Sequence, residues 1–116
     1  MKKIDRENEI KEAKSLISSL NDLIINRDDF QQKSELRDIS DVLVQVNKTI
    51  DNNKYPERLL SKLTTFIYSM GPAGKIYFPK DQEQLIDKIA VIAQKSGNTG
   101  LYYSSFNTKS DFFNRL

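Results

Sequence analysis

The chain has 116 residues without cysteine or histidine, and its 18 basic and 16 acidic side chains give a net charge of +2. The missing residue types exclude disulfides, thiolate metal sites and histidine-based catalysis, and the balanced charge argues against non-specific nucleic-acid binding. We therefore expect one domain, residues 1–116, in a reducing compartment such as the cytoplasm, with no cofactor and no enzymatic activity.

The first half of the chain predicts two amphipathic helices. Residues 5–25 repeat apolar side chains at spacings of three and four, which is typical of a helix with one buried face. Residues 26–34 are polar and predict a loop, with Ser34 as the N-cap of the next helix. That helix, residues 35–51, carries a narrow apolar seam: Leu36, Ile39, Leu43, Val46 and Ile50.

The second half predicts two more helices. Pro56 suits the first turn of a helix over residues 56–70, and GPAG at 71–74 is expected to end it. KIYF at 75–78 favours extended backbone and is expected to cross the end of the bundle. A fourth helix is predicted over 79–96, opened by Pro79, with Asp81 and Glu83 in its first turn and Gly97 after its end.

Four such helices with short connections predict an all-α protein, an antiparallel four-helix bundle. No run of about 20 apolar residues is present, so no membrane span is expected. Close acidic pairs, Asp28 with Asp29 and Asp38 with Asp41, are interpreted as solvated surface rather than a cation site, because no calcium-loop pattern accompanies them.

A helix-turn-helix DNA reader is a weaker alternative. Such a motif needs a basic recognition helix after a short turn. The candidate helix, residues 80–96, places Lys80, Lys88 and Lys95 against Asp81, Glu83 and Asp87, and is therefore neutral.

The tail, residues 97–116, is polar but carries five aromatic side chains without helical or strand period. Two interpretations compete. The rings either fill a groove between helices or stay exposed as anchors for a partner. We favour a mixed arrangement, in which one part of the tail docks and the rest projects.

A run of about 40 residues, from Lys75 to Phe113, carries a family resemblance. The shared features are Lys75-Ile76 and Phe78 before the last helix, residues 82–86 at its start, Gly100-Leu101-Tyr102 after it, then Lys109-Ser110 and Phe112. In this order, they resemble the C-terminal part of the enterocin A type immunity proteins. Those proteins, from lactic acid bacteria and streptococci, protect producers of pediocin-like bacteriocins from their own peptide.

The resemblance implies a cytoplasmic four-helix bundle with an ordered C-terminal tail packed on it, acting as a monomer partly associated with the inner membrane face. The implied partner is the membrane-embedded mannose phosphotransferase permease with bound bacteriocin, and no nucleic acid is involved. The alternative is a small regulatory or antitoxin-like helical protein that binds a soluble protein or DNA.

We expect the tail residues to divide between two roles. Those that follow Gly97 closely can turn back onto the helices, and we predict docking for Leu101, Tyr102 and Phe106. Partner recognition is predicted for the remaining aromatic and basic side chains: Tyr103, Lys109, Phe112, Phe113 and Arg115.

Overall fold

Four helices make up the described part of the protein. The structure is a computed structural model that describes residues 3–94, with side chains from residue 7 onward. The helices are α1 (Lys3–Ile25), α2 (Ser34–Thr49), α3 (Pro56–Gly74) and α4 (Lys80–Gln94). A 3-10 turn, Ile50–Asn52, follows α2. No strand occurs within residues 3–94, which confirms the predicted all-α class. The tail, Gly97 and the predicted end of α4 at residue 96 lie outside the described residues.

Each helix packs against two neighbours, so that α1 and α3 occupy opposite corners of the bundle, as do α2 and α4. Contacts between α1 and α2 run in opposite directions along the chain: Ser40 bonds Asn21 at 2.6 Å, and Asn47 bonds Ser18 at 2.9 Å. These two helices are therefore antiparallel, as the short connection predicted. The same holds for α3 and α4, since Leu60 lies beside Ile92 and Tyr68 bonds Asp87.

The core is built from the stripes that the sequence predicted. All five seam residues of α2 and the 3-10 turn that follows it are at most 1% exposed, and in α3 the inward side chains include Leu63, Phe66 and Ile67, each fully buried. Full burial of one such side chain stabilises the fold by about 1.5–3 kcal/mol. The stripes of α1 and α4 complete the same cluster through residues such as Leu20 and Ile89.

The prediction that GPAG ends α3 at residue 70 is wrong, because the helix continues through Gly74. Pro72 has no backbone N–H and therefore cannot donate a helical hydrogen bond. Because it lies in the last turn of α3, the helix loses little by this. The next residue, Lys75, has a left-handed backbone with a φ of 53°, and this conformation ends the helix. The amide of Ile76 then bonds the Gly71 carbonyl at 2.8 Å, which is the long-range bond of a Schellman motif.

Helix starts agree with the predictions except at Ser34. The N-cap of α2 is Lys33, which has extended backbone, and the Ser34 hydroxyl faces its neighbour Glu35 at 3.5 Å instead of capping the first turn. Pro56 lies in the first turn of α3, as predicted. Pro79 precedes α4, and its carbonyl accepts the Glu83 amide at 2.9 Å.

Candidate partner-binding surface

The tail residues predicted to dock or to recognise a partner all lie outside the described residues. These are Leu101, Tyr102, Tyr103, Phe106, Lys109, Phe112, Phe113 and Arg115. Within residues 3–94, no three His, Cys, Asp or Glu side chains are grouped so that they could hold a metal ion. None of the described helices is both long enough and apolar enough to span a membrane.

Among the large apolar and aromatic side chains of the described surface, the most exposed is Tyr77, in the α3–α4 turn (residues 75–79). It is 77% exposed, whereas its neighbours Ile76 and Phe78 turn inward, the first to 9% exposure. The two apolar neighbours anchor the turn on the bundle, so Tyr77 projects from a fixed backbone. An exposed tyrosine held in this way is a typical anchor for a protein partner.

Arg27, in the α1–α2 loop, fastens this turn to the rest of the bundle. Its guanidinium donates to both carboxylate oxygens of Asp29, at 2.9 and 3.0 Å, and to the Gln82 side-chain oxygen at 2.7 Å. It also lies 5.9 Å from the centroid of the Phe78 ring, within range of a cation–π contact. One side chain thus joins the α1–α2 loop, the α3–α4 turn and the start of α4.

The pairing with Arg27 changes the acidity of Asp29. The hydrogen bonds from the guanidinium are the largest influence, and they hold the pKa of the Asp29 carboxyl below its ordinary value. Partial desolvation acts in the opposite direction but does not reverse the shift. Asp29 is therefore ionised as part of this brace and forms an ion pair with Arg27.

Lys33 makes a second brace on the same end of the bundle. Its ammonium group donates to the carbonyl oxygens of Gly74 at 3.0 Å and Lys75 at 3.4 Å. A cation at this place satisfies carbonyls left open at the end of α3 and complements the negative end of the helix dipole. The backbone that leads to Tyr77 is therefore held by two side chains of the α1–α2 loop, Arg27 and Lys33.

A cleft of about 420 Å³ opens beside the turn. It lies between the last turns of α3 and the inward side chains that follow them. Its lining is mostly apolar and aromatic, and its single charged member is basic: Tyr68, Gly71, Pro72, Lys75, Ile76 and Phe78. At Gly71 an added Cβ would lie 3.3 Å from the Phe78 ring, so glycine permits the close approach that shapes the floor.

A second concavity, of about 480 Å³, lies between α1 and α2 on another side of the bundle. Its walls include Asn47 and Ser18, which bond each other, and the half-exposed Val44. The cleft beside the α3–α4 turn is the stronger candidate, because it adjoins Tyr77 and because Lys75, Ile76 and Phe78 are among the residues that carry the family resemblance.

Sequence reasoning located the KIYF segment but did not single out Tyr77 or the cleft. The available signal was an aromatic pair between two prolines, 72 and 79, in a stretch from Arg58 to Lys80 without any acidic residue. The braces from Arg27 and Lys33 had no local signal, since their partners are 55 and 41 positions away along the chain.

Comparison with known proteins decides the family. The sequence model of the bacteriocin immunity protein family matches residues 6–94, about three quarters of the chain. The chain belongs to this family. Within the family, it is 38% identical over 104 residues to the probable mesentericin-Y105 immunity protein of Leuconostoc mesenteroides, covering 90% of this chain and 89% of that protein.

A second family member is similarly close. The chain is 37% identical over 102 residues to the probable leucocin-A immunity protein of Leuconostoc gelidum, with 88% of each chain covered. No solved structure matches the chain significantly. The family match includes the α3–α4 turn and the cleft, and it stops before the tail residues that we predict to recognise a partner.

Proposed function

We propose that the protein protects its producer against a pediocin-like bacteriocin by binding, without catalysis, to the mannose phosphotransferase permease when that permease holds the toxin. The observation that carries the proposal is membership of the bacteriocin immunity protein family, together with two relatives named as immunity proteins. We place the action at the cytoplasmic face of the membrane, with the protein acting as a single-domain monomer.

The residue content supports binding rather than chemistry. The chain has neither histidine nor cysteine, the commonest general base and the most reactive nucleophile. The features that stand out on the described surface are instead a projecting tyrosine and an apolar cleft, both suited to a protein partner. The basic stretch from residue 58 to residue 80 suits an acidic or anionic surface around that contact.

The recognition surface, in this proposal, combines the distal tail with the α3–α4 turn. Tyr103, Lys109, Phe112, Phe113 and Arg115 supply the aromatic and basic contacts of the tail. Leu101, Tyr102 and Phe106 dock on the bundle. Tyr77 adds a contact that is already positioned by the two braces.

Expression in a bacteriocin-sensitive strain tests the function. Cells that make the protein should survive pediocin-like peptides such as mesentericin Y105 or leucocin A, and survival should increase with protein abundance. The permease should co-purify with the protein only after toxin treatment, and the peptide should keep its intact mass. Recovery of cleaved or modified peptide would replace the binding mechanism with an enzymatic one.

Tyr77→Ala tests the contribution of the turn, with Tyr55→Ala as its matched control. Tyr55 is also exposed, at 46%, but it lies before α3 at the opposite end of the bundle. Tyr77→Ala should weaken protection and toxin-dependent co-purification without lowering the melting temperature. Equal protection by both variants would remove Tyr77 from the recognition surface.

A further inference from the structure

The second concavity, between α1 and α2, has no part in the proposed function, but its lining has a definite chemical pattern. Its floor is apolar and consists of the buried Ile17 and Leu43, with the half-exposed Val44 beside them. The other lining side chains are polar or charged: Lys14, Ser18, Asn21, Asp22, Asn47 and Lys48. An apolar floor with a few polar groups, in a space of about 480 Å³, is typical of a small-ligand site.

The two asparagines of this lining each have hydrogen-bonding capacity to spare. The side chain of Asn47 donates to the Ser18 hydroxyl at 2.9 Å, but its Oδ1 is buried and has no partner in the described part of the chain. The Oδ1 of Asn21 accepts from the Ser40 hydroxyl at 2.6 Å, which leaves its amide N–H groups available. Buried polar groups are normally paired. An open acceptor and an open donor side by side match the N–H and C=O of a peptide group.

Opposite charges lie at the two ends of the concavity. Asp22 is at the end nearer the α1–α2 loop, and Lys48 is at the other end, where Lys14 pairs with Asp51 at 2.5 Å. Among the described residues, neither the Asp22 carboxylate nor the Lys48 ammonium group forms an ion pair. A purely anionic ligand would be repelled by Asp22, and a purely cationic one by Lys48. The arrangement therefore suits a zwitterion.

The spacing of the two charges fits two residues of extended chain. Ser18 and Asn47 bond each other and so mark one level of the bundle. Because α1 and α2 are antiparallel, Asp22 lies one turn, about 6 Å, from this level in one direction, and Lys48 lies about 1.5 Å from it in the other. Their backbone positions are thus about 7.5 Å apart along the helix axes, and two extended residues span about 7 Å. Asn21 lies on the Asp22 side of the same level.

We propose that the second concavity binds a short zwitterionic peptide, and that a dipeptide with apolar side chains is the smallest ligand that fills it. The ammonium group of the peptide pairs with Asp22 and its carboxylate with Lys48. Between them, the first carbonyl accepts from Asn21 and the following N–H donates to Asn47, which is the order of these groups from the amino to the carboxyl end of a peptide. A free amino acid carries both charges on one carbon and is too short to reach both ends.

This site does not depend on the proposed function, because none of its lining residues belongs to the α3–α4 turn or to its cleft. Titration of the full-length protein with the dipeptide alanyl-leucine tests it. A ligand of this size is expected to bind with a Kd of about 1 mM. Nuclear magnetic resonance should show saturable shifts at the side-chain amides of Asn21 and Asn47 and at the Val44 methyl groups.

Glycerophosphoethanolamine is the comparison probe, since it is a zwitterion without a peptide group. It should bind at least about tenfold more weakly than the dipeptide, because it leaves both asparagines without their partners. Equal binding of the two probes would overturn the assignment to a peptide. Absence of saturable shifts with the dipeptide, at concentrations well above the expected Kd, would overturn the site itself.

Blocked dipeptides show which charge each end of the peptide meets. Acetylation of the ammonium group should weaken binding to the parent at least about tenfold, because a charge-assisted hydrogen bond is lost. The same acetylation should change binding to Asp22→Asn by at most about twofold, since the pairing is already absent there. Asp28→Asn, at an exposed position of the α1–α2 loop, is the matched control and should respond like the parent.

Amidation of the carboxylate tests Lys48 in the same way. It should weaken binding to the parent and to Lys11→Gln, an exposed control on α1, at least about tenfold. Its effect on Lys48→Gln should be at most about twofold. Circular dichroism verifies that each variant is folded. If acetylation and amidation acted equally on the parent and on the two site variants, Asp22 and Lys48 would not bind the peptide termini, and the proposal would be overturned.

Discussion

The ammonium group of Lys33 lies 3.0 Å from the carbonyl oxygen of Gly74, so the residue before α2 caps the end of α3. This contact explains how α3 extends through a Gly-Pro-Ala-Gly sequence. The carbonyls at the end of a helix need partners from outside it. A side chain from another loop provides them here, and the adjacent left-handed Lys75 turns the chain toward Tyr77.

Removal of this cap should destabilise the protein. Lys33→Met keeps most of the side-chain length but loses the charged donor, and we expect it to lower the free energy of unfolding by about 1 kcal/mol. Lys11→Met, at an exposed position of α1, is the control and should have little effect. Urea unfolding of the two variants measures the difference. Equal midpoints would show that the cap contributes nothing.

Gly74 should tolerate no side chain, for a different reason. An added Cβ would lie 2.8 Å from both Cβ and Cγ of Glu35, which packs across the helix end. We expect Gly74→Ala to destabilise the fold by about 1–3 kcal/mol, despite the better helix propensity of alanine. Gly71→Ala meets only the Phe78 ring at 3.3 Å and should cost less. Thermal unfolding ranks the two, and the reverse order would contradict the packing described at Gly74.

Acid should weaken the brace at Arg27. The folded pKa of Asp29 is lowered below the ordinary value of about 3.9, so its contribution to stability is complete above that value. The stability that the Asp29 ion pair contributes is lost as the pH falls below about 4 and then passes the folded pKa. Asp29→Asn should therefore be less stable than the parent at neutral pH, and the difference should shrink in acid. Asp28→Asn, at the exposed neighbouring position, is the control. If the stability difference between Asp29→Asn and the parent stayed the same from pH 6 to pH 2, the ion pair would not be its cause.

A charge on the α2 seam should unfold the bundle. Leu43 is fully buried, and Leu43→Asp would place a carboxylate in the core without a partner. Val44 is adjacent but 40% exposed, so Val44→Asp should leave the fold intact. Circular dichroism with thermal melting distinguishes them. Cooperative melting of Leu43→Asp near the parental temperature would mean that the α2 seam is assigned to the wrong face.

Tail truncation should separate binding from folding. A chain that ends at Lys109 lacks Phe112, Phe113 and Arg115, and we expect it to melt like the parent but to lose or redirect protection. Tyr102→Ala, in the part proposed to dock, should instead lower stability by about 1–3 kcal/mol. Melting curves and survival assays on the same preparations test both. Full protection by the truncated chain would show that the distal tail is not a recognition element.

Apolar spacing predicted the helices well because burial of one face decides where a helix forms. The seam from Leu36 to Ile50 has that spacing, and all five side chains are buried. The end of α3 was predicted too early because glycine and proline are local signals, whereas the bonds that cap the longer helix come from Lys33, 41 positions away. Ser34 was predicted as the cap from its residue type alone, although its hydroxyl faces Glu35.

The candidate surface was less predictable than the fold. The exposure of Tyr77 depends on how Ile76 and Phe78 turn inward, and the cleft depends on Gly71 approaching the Phe78 ring. Periodicity contains no information on such pairings, because they join segments that follow no common repeat. The roles of the tail residues remain predictions from their aromatic and basic character.

The Arg27 brace also bears on the order in which the protein folds. Its bond to Gln82 spans 55 positions of the chain, and the Lys33 bond to Gly74 spans 41. Contacts that close such long loops become favourable only after the helices that flank them have assembled. The end of the bundle that displays Tyr77 is therefore expected to be completed late, after the folding transition state. Substitutions there should act mainly on the unfolding rate, so this surface can vary in sequence with little effect on how fast the protein folds.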